Sequence, residues 1–309
     1  MNISLDKKLL EEATLLKPGI KEAFVEKDWF VTKVIEILTQ NPYPGFSIIF
    51  TGGPPLSKAH KLIERFSEDI DFRLIVDNLD AFSTSKLRKM LSCFKKHIKT
   101  SLENHFEILD IVARDANRYM TFYLAYPTVC DPEEVLRPHI KLEFTLDNLL
   151  LPALELPVMS FINEVRRVGP EIPKIACVHP VENAADKLSA VVWRIPSRVR
   201  GENDKQPDIV RHLHDLAKLH DLAIRHGKLS ELAKSTIFRD TDRAEILVGM
   251  SDEEKLTKVL EVLQTDSAYP KEYNAYVKDM VYNHDEPVPT FDEAVAKLRL
   301  LINGVLGIS

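Results

Sequence analysis

The feature of this 309-residue chain that most constrains its fold is a pair of short apolar runs, residues 46–51 and 69–76. The first run, FSIIFT, is rich in β-branched and aromatic residues and ends at a Gly-Gly pair, which is typical of a buried strand that leads into a tight turn. The second run, DIDFRLIV, also predicts a strand. Between them, PPLSKAHKLIERF starts with proline and has apolar residues at helical spacing, so we expect a helix over residues 54–66.

The first half of the chain alternates helix and strand patterns, whereas the second half is almost entirely helical by pattern. Further strands are predicted at 106–114, 119–127 and 139–146, and helices at 4–16, 20–40 and 84–102. A Pro-rich stretch from 152 to 180 predicts the connection to a second domain, with the boundary near residue 170. We therefore expect an α+β protein, with a mixed-sheet domain over 1–170 and a helical domain over 171–309. The predicted helices of the second half are 181–194, 207–226, 230–238, 252–264, 270–281 and 291–304.

The composition is that of a soluble globular protein, with 45% hydrophobic and 28% charged residues. The N-terminal segment contains acidic residues within its apolar pattern, unlike a signal peptide, and no apolar run is long enough to cross a bilayer, so we expect a cytoplasmic protein without a membrane partner. Its three cysteines lack metal-type spacing, which argues against a zinc or disulfide framework. The net charge of −6 argues against a protein coated with basic charge for nucleic-acid binding, although local patches remain compatible with it.

Two carboxylates at alternate positions are the first candidate for chemistry. Asp69 and Asp71 are two residues apart on a predicted strand, so both side chains leave the same side of the sheet. Mg²⁺ takes oxygen ligands from one or two carboxylates and completes its shell with water and substrate phosphates. The alternative is a solvated strand with ordinary surface acids. Glu143, on the polar side of the strand at 139–146, is a candidate third carboxylate or a solvent-facing glutamate.

The turn at Gly52 and Gly53 is the second candidate, because a glycine turn before a helix lets backbone amides approach an anion closely. Alone it is weak, since many such glycines serve only to turn the chain. Followed by the acids at 69 and 71, however, it forms the minimum apparatus for two-metal phosphoryl or nucleotidyl transfer.

The order of strand, Gly-Gly, helix, Asp-x-Asp strand and later carboxylate resembles the nucleotidyltransferase superfamily typified by DNA polymerase β. More closely, GGPPLSKAHKLIERFSEDIDFRL is similar to the signature of the AbiEii/AbiGii toxin family, Gly-Gly-Thr-x-Leu-x-Lys followed by Arg-x-Ser-x-Asp-Ile-Asp. The match extends to EKDWF at 26–30, IKLEF at 140–144, ENAADKLSA at 182–190 and RHLHDLAKL at 211–219. It covers residues 24–222, and the residues beyond add nothing to it.

The resemblance implies a nucleotidyltransferase that is the toxin of a bacterial toxin–antitoxin or abortive-infection (phage-defence) system. It implies a nucleoside triphosphate substrate, Mg²⁺ or else Mn²⁺, an RNA acceptor such as the 3′ end of tRNA, and a cognate antitoxin. The metal ligands would be Asp69 and Asp71, within a catalytic set of Asp69, Asp71, Glu143, Lys187 and Asp215. Nucleotide-binding positions would be Gly52, Gly53, Lys58, Arg65 and Ser67, the last two bracing the loop. Pro54 departs from the pattern, since it has neither the hydroxyl nor the backbone N–H that the usual residue offers to phosphate.

Residues of the second half are individually ambiguous. Lys187 lies beside an apolar helical stripe, where most lysines are simply solvated. His212, His214 and His220 crowd one helix but lack the i, i+3 or i, i+4 spacing of paired metal ligands. Arg211 and Asp215 share a face at i, i+4, which predicts an ion pair.

Two groups of cations are candidates for an RNA backbone, since basic side chains position phosphates without reading sequence. The alternative for both is an ordinary solvated surface. The first group lies on the predicted helix at 84–102 and the second at the end of the helix at 181–194 and in the loop after it: Lys86, Lys89 and Lys96, then Arg194, Arg198 and Arg200.

The sequence thus predicts transfer of a nucleoside monophosphate from an NTP to an RNA end. Two alternatives remain open at this point: transfer to a protein hydroxyl, and a non-catalytic protein of the same fold that binds a nucleotide or partner.

Overall fold

The computed structural model describes residues 3–16, 19–201, 204, 208–282 and 287–308. The chain forms two compact units. The N-terminal unit comprises Met1–Lys61 and Phe66–Val178, and the C-terminal unit comprises Leu62–Arg65 and His179–Ser309. The sequence predicted a division near residue 170, but it did not anticipate that a short segment before the Asp-x-Asp strand belongs to the C-terminal unit.

A mixed sheet organises the N-terminal unit. Among the described residues its strands are β1 Phe46–Thr51, β2 Asp69–Val76, β3 Glu107–Arg114, β4 Tyr119–Ala125, β5 Ile140–Leu146, β6 Leu154–Val158 and β7 Ile172–Cys177. Their order in the sheet is β3-β4-β5-β2-β1-β7-β6. The neighbours β2–β5 and β1–β7 are parallel, and the other adjacent pairs are antiparallel. The Asp-x-Asp strand is therefore central, with β1 and β5 on its two sides.

Alternation along β2 gives the sheet two different faces. Ile70, Phe72 and Leu74 are fully buried on one face, where Phe72 stacks on Phe144 of β5 with ring centroids 5.5 Å apart. The acids at 69 and 71 leave the opposite face because successive strand residues point to opposite sides. The apolar face thus fixes the direction of the carboxylates, since a register shift of one residue would bury them in the core.

The helices of this unit are α1 Lys7–Leu16, α2 Glu22–Gln40, α3 Gly53–Lys58, α4 Thr84–Glu103 and α5 Phe161–Arg166. Helix α4 begins at an N-cap, Ser83, whose side chain accepts a hydrogen bond from the Lys86 amide. Its buried stripe packs on the apolar face of the sheet, where the ring of Phe94 lies 5.3 Å from that of Phe144. Consequently α4 covers the sheet face opposite the carboxylates.

The predicted helix over 54–66 is wrong after its first turns, because α3 ends at Lys58. Lys61 adopts a left-handed conformation, with φ 55°, which interrupts helical geometry. The segment that follows belongs to the C-terminal unit, in which Arg65 forms a β-bridge with Val281. The apolar residues that suggested one continuous helix are instead divided between the two units of the chain.

The Pro-rich stretch predicted as a connection contains β6, α5 and β7. These elements are short, and β6 and β7 pair antiparallel with a register shift after Leu156. Periodicity over so few residues gives little signal, which explains why the sequence missed them.

The described part of the C-terminal unit is helical, as predicted. Its helices are α6 Pro180–Ser197, α7 Val210–Ile224, α8 Leu229–Asp240, α9 Asp252–Thr265, α10 Ala268–Met280 and α11 Phe291–Leu306. The start predicted for α7 at residue 207 lies outside the described residues. Capping boxes fix the starts of α9 and α11, the latter through Thr290 and Glu293 as the sequence indicated. No helix among the described residues is both long enough and apolar enough to cross a membrane.

Candidate active site

The acids of β2 lie beside the polar residues of β5. In the parallel pairing of the two strands, Asp71 is opposite Glu143 and Asp69 is opposite Lys141. Residues paired across neighbouring strands point to the same face of a sheet. The sheet therefore places the three carboxylates that the sequence analysis singled out on one face, with Asp71 and Glu143 at paired positions.

Glu143 has its own protein partners. Its carboxylate accepts a hydrogen bond from Lys141 Nζ at 2.8 Å and one from the Thr121 hydroxyl at 3.2 Å. Thr121 lies opposite Glu143 on β4, so the network follows the register of three adjacent strands. Neither Lys141 nor Thr121 was selected from the sequence, although the alternating pattern placed Lys141 on the polar side of its strand.

The glycine turn lies directly against the second acid. Gly52 has φ 83° and ψ −147°, a conformation that is essentially restricted to glycine. A Cβ atom added there would lie 2.5 Å from Asp71 Oδ2. The turn and the Asp-x-Asp strand are thus in contact, which is the arrangement that the chemistry of the sequence motif required.

A cluster of alternating charges surrounds Asp69. The Arg137 guanidinium bonds to the Asp69 carboxylate and its Nε lies 3.8 Å from Glu68 Oε1. Lys27 of α2, whose side chain is buried, bonds to Glu68. The sequence analysis assigned no role to these three residues, and two of them, Lys27 and Arg137, come from segments far along the chain from Asp69.

Lys58, predicted to bind the nucleotide, has buried structural partners. Its Nζ forms an ion pair with Asp28 of α2 and lies 3.1 Å from the Thr32 hydroxyl. Asp28 also accepts a hydrogen bond from the Phe161 amide at 2.8 Å. Burial raises the pKa of Asp28, and the Lys58 charge opposes that rise. These contacts tie α2, α3 and α5 together and give Lys58 a stabilising role.

Ser67 lies half-buried in the loop before β2, and Gly53 is buried at the start of α3. Since α3 has only six residues, its N-terminus offers little helix dipole to a phosphate. The nucleotide-binding roles of these two residues stay predictions.

The C-terminal unit contains a second charged cluster, centred on Asp215. Arg65 donates two hydrogen bonds to its carboxylate, from Nε at 2.7 Å and from Nη2 at 2.6 Å. Lys187 Nζ lies 2.7 Å from Asp215 Oδ2. The structure thus gives Asp215 a fully buried pairing with a residue 150 positions away, whereas the ion pair with Arg211 that helical spacing suggested stays a prediction.

This cluster holds two cations and one carboxylate away from water. Burial alone would raise the pKa of Asp215, but Arg65 and Lys187 outweigh it and hold that pKa well below its usual range. Burial lowers the pKa of Lys187, and Asp215 only partly opposes this. The two directions agree with a cluster in which Arg65 already neutralises the acid, so burial outweighs the effect of Asp215 on the pKa of Lys187.

The ring of His214 and the ring nitrogens of His212, both on α7, are shielded from water. His214 is 1% exposed and lies against the rings of Tyr273 and Tyr276, with centroids 6.5 and 6.1 Å away. The ring nitrogens of His212 are inaccessible and have no hydrogen-bond partner among the described residues. Burial, reinforced by nearby cations, holds the pKa of His212 well below its usual range, so this ring is neutral.

The two predicted RNA-binding groups fare differently. Lys86, Lys89 and Lys96 are exposed on α4, but this helix covers the sheet face opposite the carboxylates, so they do not flank the acids. Arg198 binds Asp204 and Glu272, Arg200 binds Asp266 and Glu272, and the Arg194 guanidinium lies 4.8 Å from the Trp193 ring. The arginine loop is therefore held by protein carboxylates, which favours the reading of an ordinary charged loop.

The carboxylates of β2 suit a divalent cation that also binds substrate. No three His, Cys, Asp or Glu side chains converge to hold a metal ion by themselves in the described part of the chain. Asp69 and Asp71 supply the one or two carboxylates that Mg²⁺ takes from protein when phosphates complete its shell. The cationic Arg137 already bonded to Asp69 shows that this carboxylate accepts a positive partner.

A mixed sheet that carries paired acids on its central strand, beside a glycine turn, defines the nucleotidyltransferase class, and comparisons with known proteins agree. Residues 40–297 match the family model described as "Nucleotidyl transferase AbiEii toxin, Type IV TA system". The chain belongs to the AbiEii nucleotidyltransferase toxin family, which confirms the sequence-based assignment.

Comparison with solved structures shows which known proteins share the fold of this chain. The nucleotidyltransferase toxin MenT4 from Mycobacterium tuberculosis H37Rv is similar over 99% of this chain and 91% of its own, with a TM-score of 0.62 and 18% identity. That likeness shows the fold alone. The STING-associated CdnE c-di-GMP synthase from Capnocytophaga granulosa aligns over 97% of this chain and 85% of its own, at 13% identity and a TM-score of 0.29, too low to inform the fold. No curated sequence matches the chain.

Proposed function

We propose that this toxin transfers a nucleoside monophosphate from an NTP to an RNA acceptor, the 3′ end of tRNA, in a Mg²⁺-dependent reaction in the cytoplasm. The observation that carries the proposal is the placement of Asp69 and Asp71 on one sheet face, with Asp71 against Gly52 and opposite Glu143. Mn²⁺ has the same preference for oxygen ligands and is expected to substitute.

Asp69 and Asp71 would hold the metal, and Glu143 would complete the carboxylate set from the neighbouring strand. A bound divalent ion neutralises phosphate charge and helps to deprotonate the attacking hydroxyl. The absence of a Cβ at Gly52 keeps the space beside the Asp71 carboxylate free, so this acid keeps its direction. Thr121 and Lys141 orient Glu143 through their hydrogen bonds.

Lys187 suits the binding of an anionic substrate group. Its ammonium group lies in a buried cluster of two cations and one carboxylate, and a positive charge in a desolvated environment interacts strongly with phosphate. Asp215 would position Lys187 through their 2.7 Å contact, while Arg65 fixes Asp215. The tRNA acceptor itself rests on the family resemblance, and the exposed cations of α4 would contact only a part of the RNA remote from the reacting end.

A direct test incubates the purified protein with each radiolabelled NTP, total tRNA and Mg²⁺. We expect label on tRNA from one or a few nucleotides, loss of transfer in Asp69→Asn, and full transfer in Asp77→Asn, a matched change of an exposed acid just after β2. Label on protein and never on RNA would instead identify a protein hydroxyl as the acceptor. No transfer with any nucleotide would refute the proposed reaction.

A cognate antitoxin is the partner that a toxin–antitoxin family implies. Co-expression with the neighbouring gene product tests this part of the proposal: restored growth of a strain that expresses the toxin is expected. A role in phage defence is expected to appear as a reduced phage yield that Asp69→Asn abolishes.

A further inference from the structure

We propose that Arg137 controls metal binding at Asp69. Its guanidinium is bonded to the Asp69 carboxylate before the divalent cation binds, and then leaves it to form hydrogen bonds with the triphosphate of the nucleotide. This inference rests on the proposed function, since it assigns a role within the same reaction. Arg137 lies in the connection between β4 and β5, just before the strand that carries Lys141 and Glu143.

The ion pair between Arg137 and Asp69 is buried at one end and open at the other. The Asp69 side chain is 7% exposed, whereas that of Arg137 is 32% exposed. Asp69 is also fixed as the first residue of a central strand. When the pair separates, the carboxylate therefore stays in place and the guanidinium moves.

The backbone of Arg137 is anchored independently of its side chain. Its amide donates to Glu68 Oε2 at 2.9 Å, and its carbonyl accepts a hydrogen bond from Lys27 Nζ at 2.6 Å. Lys27 is held in turn by its ion pair with Glu68. The loop thus keeps its position when the guanidinium changes partner, and a substitution of the side chain preserves both backbone contacts.

Arg137 and a divalent cation compete for the same oxygen atoms. Mg²⁺ binds carboxylate oxygen at about 2.0–2.1 Å in near-octahedral geometry, and Arg137 must give up at least one of its bonds to Asp69 to allow this. Two positive groups at one carboxylate also repel each other. Arg137 therefore lowers the affinity of the site for a metal that arrives alone.

Triphosphate favours metal binding at Asp69, because its oxygen atoms accept hydrogen bonds from the Arg137 side chain that the metal displaces. The planar guanidinium of arginine matches phosphate oxygens with two parallel hydrogen bonds. Arg137 is more exposed than the two lysines bonded to acids beside it: the side chain of Lys141, bonded to Glu143, is 24% exposed, and that of Lys27 is 3% exposed. Arg137 is thus the best placed to exchange a protein carboxylate for a ligand.

The inference predicts opposite changes in two affinities of one variant. In Arg137→Gln, binding of Mn²⁺ alone, measured by electron paramagnetic resonance, is expected to be about tenfold tighter, which corresponds to about 1.4 kcal/mol. Binding of inorganic triphosphate at saturating Mn²⁺, measured by calorimetry, is expected to be about tenfold weaker. The use of inorganic triphosphate removes any dependence on which base the enzyme selects.

Arg88→Gln is the matched control, since it removes an exposed arginine from α4, on the far side of the sheet, and is expected to change neither affinity. Arg137→Lys retains the charge but not the fork of donors, so its triphosphate affinity is expected to lie between those of wild type and Arg137→Gln. Circular dichroism of each variant verifies folding.

The outcomes separate this inference from the proposed function. If Asp69→Asn abolishes Mn²⁺ binding while Arg137→Gln leaves both affinities unchanged, or weakens Mn²⁺ binding, the role of Arg137 is refuted and the metal site stands. If Asp69→Asn leaves Mn²⁺ binding unchanged, the proposed metal site and the role of Arg137 fail together.

Discussion

Replacement of Gly52 by alanine tests the contact between the glycine turn and the acids most directly. The backbone at Gly52, with φ 83° and ψ −147°, is a region that costs a residue with a side chain about 1–3 kcal/mol. In addition, the new Cβ would lie 2.5 Å from Asp71 Oδ2, closer than any van der Waals contact allows. The carboxylate or the turn must therefore move, so we expect a loss of metal affinity and of toxicity as well as a loss of stability.

Gly45→Ala separates these two effects. Gly45 also has a positive φ, 78°, but a Cβ there would have no heavy atom within 4 Å. Urea unfolding should show a loss of about 1–3 kcal/mol in Gly45→Ala and at least as large a loss in Gly52→Ala. Only Gly52→Ala should reduce Mn²⁺ affinity and growth inhibition, by at least about tenfold when 1.4 kcal/mol or more of ligand orientation is lost. Equal activity of the two variants, at equal amounts of folded protein, would refute the close approach of turn and acid.

Three further predictions concern the charged groups and thiols. Asp215→Asn leaves two buried cations without their carboxylate, so the free energy of unfolding in urea is expected to fall by about 3–5 kcal/mol. The folded protein holds the pKa of Asp215 well below 3.8, so the unfolded chain binds more protons at pH values between the folded and unfolded pKa. The stability that this acid contributes is fully present above 3.8 and is lost as the pH falls from there through the lower folded-state pKa, and the Asn variant should lack this acid-dependent loss. Lys58→Met leaves the Asp28 carboxylate without its cationic partner. In a double-mutant cycle, Asp28→Asn together with Lys58→Met should lower the free energy of unfolding by less than the sum of the two single changes. Mass spectrometry after brief alkylation should find Cys93, which is exposed, modified well before the other two cysteines, since burial raises the pKa of both their thiols to about 12.

The charges of the N-terminal unit show why the motif alone could not describe the site. The spacing of Asp69 and Asp71 predicted a shared face, and the register of β2 with β5 then put Glu143 opposite Asp71. Arg137 reaches Asp69 from a loop whose sequence carries no recognisable pattern. A residue of that kind becomes visible only when the sheet brings its loop back to the strand.

Lys58 and Arg65 show that a motif also contains charged residues with structural partners. Both belong to the recognised motif, which implies that Lys58 lies near the triphosphate and that Arg65 braces the nucleotide-binding loop. The structure gives Lys58 a buried partner in Asp28 and gives Arg65 a buried partner in Asp215. Charged residues in a motif can thus be there to hold elements together, because a buried cation must be paired wherever it lies.

The sequence by itself determined the helical and strand patterns of the longer elements, the family, and the direction of two acids along one strand, because these depend on periodicity and spacing within a single segment. Tertiary structure decided the rest: the early end of α3, the pairing of Arg65 with Asp215, and the pairing of Arg137 with Asp69. The two pairings join segments that are far apart along the chain, and the end of α3 depends on which unit the next segment packs in. Distance and burial after folding determine which charged groups pair.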